Sequence, residues 1–338
     1  MTKQKDLRAS VVEDYMDRFP TTPNKTLAKK IFKEASELFK DVDQIRSFIR
    51  RRYGQQGGIK MADKSRYKEA GENAITLGIG NPYGLPEAQE EPWEPYILPK
   101  ACKRFLILSD VHIPYHDIKA ITMALDYAKE QKIDAIVLNG DIMDCYAVSR
   151  WEKDPRKRKF KGELEDTRQF LQALNRMFDV PIYYKIGNHE ERYEAYLRIK
   201  APELLDISEF RLDVLLRFAE TNTHLITDKR VIKAGRLNIM HGHEFGRSVF
   251  SPVNPARGYY MKSKTNTICG HNHQTSEHTE PDLNGNVVTT WSTGCLSHLH
   301  PEYMPINKWN LGFAMVYVDS DDGGFDVENL RIINGKIR

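Results

Sequence analysis

The sequence is poor in cysteine. Its four residues, Cys102, Cys145, Cys269 and Cys295, are widely spaced and form no CxxC pair. That argues against a zinc ribbon or a disulfide framework and suits a reducing cytosol. Long apolar runs are missing as well. No stretch reaches the roughly 18 apolar residues of a membrane span. The opening segment "MTKQKDLRASVVEDYMDRF" has no apolar run of signal-peptide type. The expectation is a cytoplasmic protein with no membrane partner. There is no internal repeat. The remaining composition, 40% hydrophobic and 29% charged over 338 residues, is ordinary for a globular protein with one large domain and a smaller one.

Charge is unevenly shared. Residues 1–68 hold 17 Lys/Arg against 9 Asp/Glu, a balance of +8, whereas the whole chain carries +3. A basic head on a mildly acidic body points to a polyanionic partner such as nucleic acid; the alternative is a solvated helical surface. The head reads as three short helices resembling a helix-turn-helix module. In "TPNKTLAKKIFKEASELF", Leu27, Ile31, Ala35 and Leu38 fall on one face, with Asn24 or Thr26 as the cap. "DVDQIRSFIRRRYG" repeats the pattern, with Asp41 as N-cap and Gly54 just past the end. Residues 69–102 contain "GIGNPYGLPEAQEEPWEPYILP", five prolines in one stretch, which reads as a linker or a strap packed through Trp93 and Tyr96.

After Lys103 the texture changes. "RFLILSD", "DAIVLNGD", "VPIYYKIGN", "LNIMHG" and "TNTICGH" are short apolar runs, each ending in a polar cluster. Helical stretches "IKAITMALDYAKEQK" and "GELEDTRQFLQALNRMF" separate the first three. Alternating strands and helices predict an α/β domain over 103–338. Its polar clusters lie at strand C-terminal ends, where open α/β sheets hold their sites. Read in order, the clusters are "SDVH", "NGDIMD", "GNHE", "HGH" and "GHNH". They offer Asp110, His112, Asp141, Asn188, His241, His271 and His273, a donor set that two metals sharing one carboxylate would use completely. The x of "DVH" and of "HNH" fits a strand period of two, with both outer residues facing one side. Gly140, Gly187, Gly242 and Gly270 leave room for the backbone to bend beside them.

This order of DxH, GDxxD, GNHE, His-Gly and GHxH resembles the calcineurin-like metallophosphoesterases over roughly residues 103–320. The resemblance implies two stacked mixed β-sheets flanked by helices and a dinuclear site at the sheet edge. It further implies one metal on Asp110, His112, Asp141 and His273 and a second on Asp141, Asn188, His241 and His271, with Asp141 bridging. His189 is then no ligand but a proton donor or phosphate contact. Mixed nitrogen and oxygen donors suit two divalent ions, manganese foremost with iron or zinc as alternatives. Such ions activate water for attack on a phosphate ester. Asp144 is expected to orient a ligand histidine, and Glu190 to hydrogen-bond His189 or another ligand, or else to act as a helix N-terminal acid. Arg192 and His243 are expected to contact substrate, and His298 and His300 to be structural or rim residues.

The substrate signals are a second basic run, "KDPRKRKFKG", and the basic head. Both favour a phosphodiesterase or nuclease acting on nucleic acid. "GNHEER" is similar to protein serine/threonine phosphatases, whereas "GDIMDC" departs from their GDxVDRG form. Two further readings stay open: a phosphomonoesterase on nucleotides or phosphoproteins, and a DNA-binding module with a non-catalytic α/β scaffold.

Overall fold

The computed structural model describes residues 7–19, 22–53, 93–152, 154, 159–248, 253–319 and 322–338. The chain divides into two compact units, residues 1–91 and 92–338.

In the first unit, helices α1 (Leu7–Arg18), α2 (Asn24–Glu34) and α3 (Val42–Tyr53) close on Val12, Met16, Leu27, Ile31, Phe39, Ile45 and Ile49, all buried. Two details differ from the sequence reading. The α2 N-cap is Pro23 and no side chain caps it, so neither Asn24 nor Thr26 has that role. The proline's fixed φ sets the entry instead. Further on, α2 stops at Glu34 because Ala35 leaves the helical region (φ −140°), and a 3₁₀ turn covers Ser36–Leu38. That turn buries Phe39 and brings Asp41 to its cap, where Asp41 Oδ1 accepts from Gln44 N at 2.7 Å. The Gly54 expectation lies outside the described residues, as do half of "KDPRKRKFKG" and most of the segment 69–102.

The second unit is built on two mixed sheets. One has the order β13 (Lys336–Ile337), β12 (Phe325–Ile333), β11 (Leu311–Val318), β2 (Arg104–Leu108), β3 (Ala135–Asn139), β4 (Ile182–Lys185), β5 (Thr223–Ile226). The other runs β1 (Tyr96–Ile97), β6 (Ile232–Ala234), β7 (Leu237–Met240), β8 (Thr267–Cys269), β10 (Val287–Ser292), β9 (Ser276–Pro281). The end of the proline-rich segment is thus an edge strand, paired in parallel with β6, while Trp93 Nε1 donates to the Asp228 carbonyl at 3.2 Å.

Apart from Arg104, Asn139 and Lys185 at their ends, β2 to β4 are apolar because both of their faces are covered. Phe105, Ile107, Val137 and Tyr183 point at Leu237, Ile239, Ile268 and Trp291 of the other sheet. Leu106, Leu108, Ile136, Leu138, Ile182 and Tyr184 point to the opposite side. There they meet a layer that includes α4 (Ile118–Glu130) and α5 (Phe160–Phe178). This is the expected α/β sandwich of two mixed sheets flanked by helices. Parallel pairing of β2, β3, β4 and of β7, β8 brings five strand C-termini together, and the polar clusters follow those ends.

Candidate active site

The period-two argument for "DVH" and "HNH" does not hold. Asp110, His112, His271 and His273 lie beyond the strand ends, each at positive φ (56°, 51°, 68° and 54°), as does Asp141 (54°). Left-handed backbone is uncommon outside glycine, and Asp and His tolerate it better than most residues. Such residues persist where surrounding structure imposes them, typically at functional sites. The side chains converge because each strand end curls, not because the pleat aligns them.

Two of the four glycines bend as expected, Gly140 at φ +85° and Gly242 at φ +121°, and glycine meets a second need here, close approach. At Gly187, whose φ is unremarkable, an added Cβ would collide with Asp141. At Gly140, with φ +85°, it would lie 2.6 Å from His241 Nδ1. Their missing side chains are the space the polar groups occupy.

Among the described residues three groups of candidate metal-binding side chains result: two built from the expected ligands, and a third, His112, Asp144 and His189, that shares His112. In the first, His273 Nε2 is 3.2 Å from Asp110 Oδ1 and 3.1 Å from His112 Nε2. In the second, Asp141, His241 and His271 converge, with His241 Nε2 3.2 Å from both Asp141 Oδ2 and Asn188 Oδ1. Asp141 Oδ2 also stands 4.0 Å from His112 Nε2, so one carboxylate oxygen faces both clusters. His241 Nδ1 is 2.8 Å from the Asn139 carbonyl. It must donate there, which leaves Nε2 as the nitrogen that faces the cluster.

The electrostatics are those of a cation site. Burial opposes charge on Asp110, yet the neighbouring His273 holds its carboxyl down at about 2. Burial likewise opposes charge on Asp141, but His189 and His241 keep it well below the usual carboxylate range. Desolvation disfavours the imidazolium at His241 and His273, but Asp141 and Asp110 respectively lift each to about 10. His271 drops to about 4 through burial and the charge on His241. His112 is lowered by burial and by His189.

His189 projects beside the first cluster, its ring centroid 4.4 Å from that of His112. Its Nδ1 lies 2.9 Å from the Asp144 carbonyl and 3.3 Å from Asp144 Oδ1. Burial opposes its charge, but Asp141 raises its pKa above the ordinary value. Asp144 Oδ1 is also 3.4 Å from His112 Nδ1, so one carboxylate touches both imidazoles. Arg192 donates to His189 Nε2 at 2.7 Å and to the Asp144 carbonyl at 2.9 Å. His243 is held by Glu191, with Nε2 to Oε1 at 3.0 Å, and its ring is 5.3 Å from that of His241. His298 and His300 are exposed.

Glu190 has a role the sequence did not disclose. It bonds neither His189 nor another candidate ligand side chain, and its side chain makes no cap. At 2% exposure its carboxylate accepts from the backbone N–H of Asp141, Ile142, Met143 and Gly187 and from the Tyr184 hydroxyl, at 2.7–3.0 Å. It is the anchor that curls the "GDIM" loop. Asn139, through its carbonyl on His241, was missed too, as was the pair of Lys185 with Glu244 at 2.9 Å under the site. An acid directly after "GNH" was the available signal for Glu190; a lysine ending an apolar strand offered none.

The profile of the calcineurin-like phosphoesterase family matches residues 103–296. The Gene 54 protein of Mycobacterium phage L5 is 30% identical over 230 residues, 64% of this chain and 89% of the phage protein. That of phage D29 is 27% identical over 232 residues, 65% and 90% of the two chains. Among solved structures, the phosphoesterase YfcE from E. coli aligns at TM-score 0.32 and 12% identity, over 67% of this chain and 98% of its own. A dimetal phosphatase from Danio rerio aligns at 0.34 and 13%, over 64% and 93%. With the profile spanning more than half of the sequence and its motifs forming the two clusters, the chain belongs to the calcineurin-like phosphoesterase family.

Proposed function

We propose that this chain is a dinuclear metal-dependent phosphodiesterase acting on nucleic acid. The observation that carries the reading is the carboxylate oxygen of Asp141 facing two His/Asp clusters at once. The donors fit metal ions. His112 Nε2 and His273 Nε2 are 3.1 Å apart, close enough for both to bind one ion. One ion would take Asp110, His112, Asp141 and His273, the other Asp141, Asn188, His241 and His271. Manganese suits this mixed set, with iron or zinc as alternatives. Two such ions would polarise the phosphoryl group and generate hydroxide from water near neutral pH.

The chain's own groups complete the chemistry. Asn139 fixes the His241 tautomer, and Glu190 fixes the loop that carries Asp141. His189, oriented by its Nδ1 donating to the Asp144 carbonyl, would protonate the leaving oxygen from Nε2 once Arg192 no longer donates to that atom. Arg192 turns its guanidinium from His189 to the phosphoryl oxygens, where its fork of donors fits. His243 lines the entry beside His241. A nucleic-acid substrate is supported by the +8 head and by Arg46, Arg50 and Arg51 along α3.

Rates on bis-p-nitrophenyl phosphate, p-nitrophenyl phosphate and labelled DNA with Mn²⁺ test the reading. Hydrolysis of the diester and of DNA is expected. Activity confined to the monoester would replace it with a phosphomonoesterase, and DNA binding without hydrolysis of any ester would leave a binding module.

A further inference from the structure

The connection from β10 to β11 passes from one sheet to the other beside the site. It is braced along its length. Leu296 N donates to the Asp110 carbonyl at 3.1 Å and Asn310 N to the His273 carbonyl at 2.9 Å. Asn307 Nδ2 ties the Leu299 and Met304 carbonyls at 2.6 and 2.8 Å, and Trp309 N donates to Asn307 Oδ1 at 2.9 Å. Yet this braced loop presents Tyr303, Met304 and Ile306 at 64%, 44% and 93% exposure. Trp309 is half-buried with its ring centroid 4.1 Å from that of His273, and the Tyr303 ring follows 6.3 Å from Trp309 at 62°. The two rings are not stacked on each other, so they form an angled aromatic wall leading outward from the first cluster. The Trp309 contact with His273 sets this wall beside the first cluster.

We propose that Tyr303 and Trp309 are a stacking platform for the nucleobase next to the scissile phosphate, so that the substrate is a nucleotide diester with an unpaired base. The inference rests on the phosphodiesterase reading and narrows its substrate. Bases stack on exposed aromatic side chains without regard to sequence. A platform joined to the site through His273 sets the distance from base to phosphorus.

The test compares two diesters with the same leaving group, thymidine 5′-(p-nitrophenyl phosphate) and methyl p-nitrophenyl phosphate, with Mn²⁺. Wild type should prefer the nucleoside ester in kcat/KM by about five-fold or more. Tyr303→Ala should move that ratio toward one, chiefly through KM, and Tyr303→Phe should restore it. Equal kcat/KM for both esters in wild type, or a ratio unmoved by Tyr303→Ala, overturns the platform. Binding supplies a readout free of turnover. Thymidine 5′-monophosphate should quench tryptophan fluorescence, and Trp309→Phe, which leaves the other three tryptophans, should abolish the quench. Persistence of the quench in that variant contradicts the proposal. Hydrolysis of neither ester would overturn the phosphodiesterase reading itself, and the fluorescence result would then decide the platform alone.

Discussion

The two halves of the site are built unequally. Asp110, His112 and His273 are at most 5% exposed, and the Trp309 ring packs against His273. The other half pairs two buried residues, Asp141 and His241, with the half-buried Asn188 and His271. The enclosed half also has His189 and Asp144 beside it; the open half has a neutral amide. In the proposed mechanism the difference is a division of labour: the open half would admit the phosphoryl group, and the enclosed half would sit next to the proton source. Only Asp141 belongs to both.

Breaking that shared residue has the largest expected effect. Asp141→Asn should lose both ions and bring hydrolysis to background, measured by elemental analysis and diester turnover on one sample. Two ions retained per chain would refute the bridging role. His189→Gln tests the proton source separately. Both ions should remain while turnover falls about 10²–10⁴-fold, and the loss should be smaller for p-nitrophenyl esters, whose leaving group needs no proton. Equal losses on good and poor leaving groups would leave His189 a phosphate contact alone.

Much of this was legible from the residues. Apolar runs that end in Asp, Asn or His located five strands, and parallel strands placed their ends on one edge. The conformation at those ends was not legible. A spacing of two looks like pleat, but Asp110, His112, His271 and His273 sit in left-handed backbone, which no spacing encodes. Glu190 bonds a candidate ligand residue as expected, through Asp141 N, but its hold on Ile142, Met143 and Gly187 was not legible, because backbone amides carry no sequence signature. The α2 boundary failed because Ala35 and Leu38 keep the helical period through a break.

Smaller effects sharpen the contrast between the halves. Glu190 braces the Asp141 loop but makes no bond to Asp110. Glu190→Gln replaces an acceptor with a donor among four backbone N–H groups, and should destabilise the fold by about 1–3 kcal/mol in urea unfolding. Metal affinity should fall through Asp141; an unchanged midpoint would deny the anchoring role. Glu163 accepts from Cys145 N beside Asp144 and is raised to about 7, first by burial. An acid raised on folding binds its proton more tightly in the native state, so its contribution is complete below about 4.5 and is lost as pH rises through about 7. Glu163→Gln should flatten the decline of Tm between pH 5 and 8; an identical slope would remove Glu163 as its source.

The most direct test of the central claim is a titration of Mn²⁺ into chelator-stripped wild-type protein. Bound metal is counted per chain, and bis-p-nitrophenyl phosphate hydrolysis is followed on the same samples. The account predicts two ions per chain at saturation, with hydrolysis appearing as the second site fills. Saturation at one ion, or full hydrolysis in the stripped protein, would contradict it.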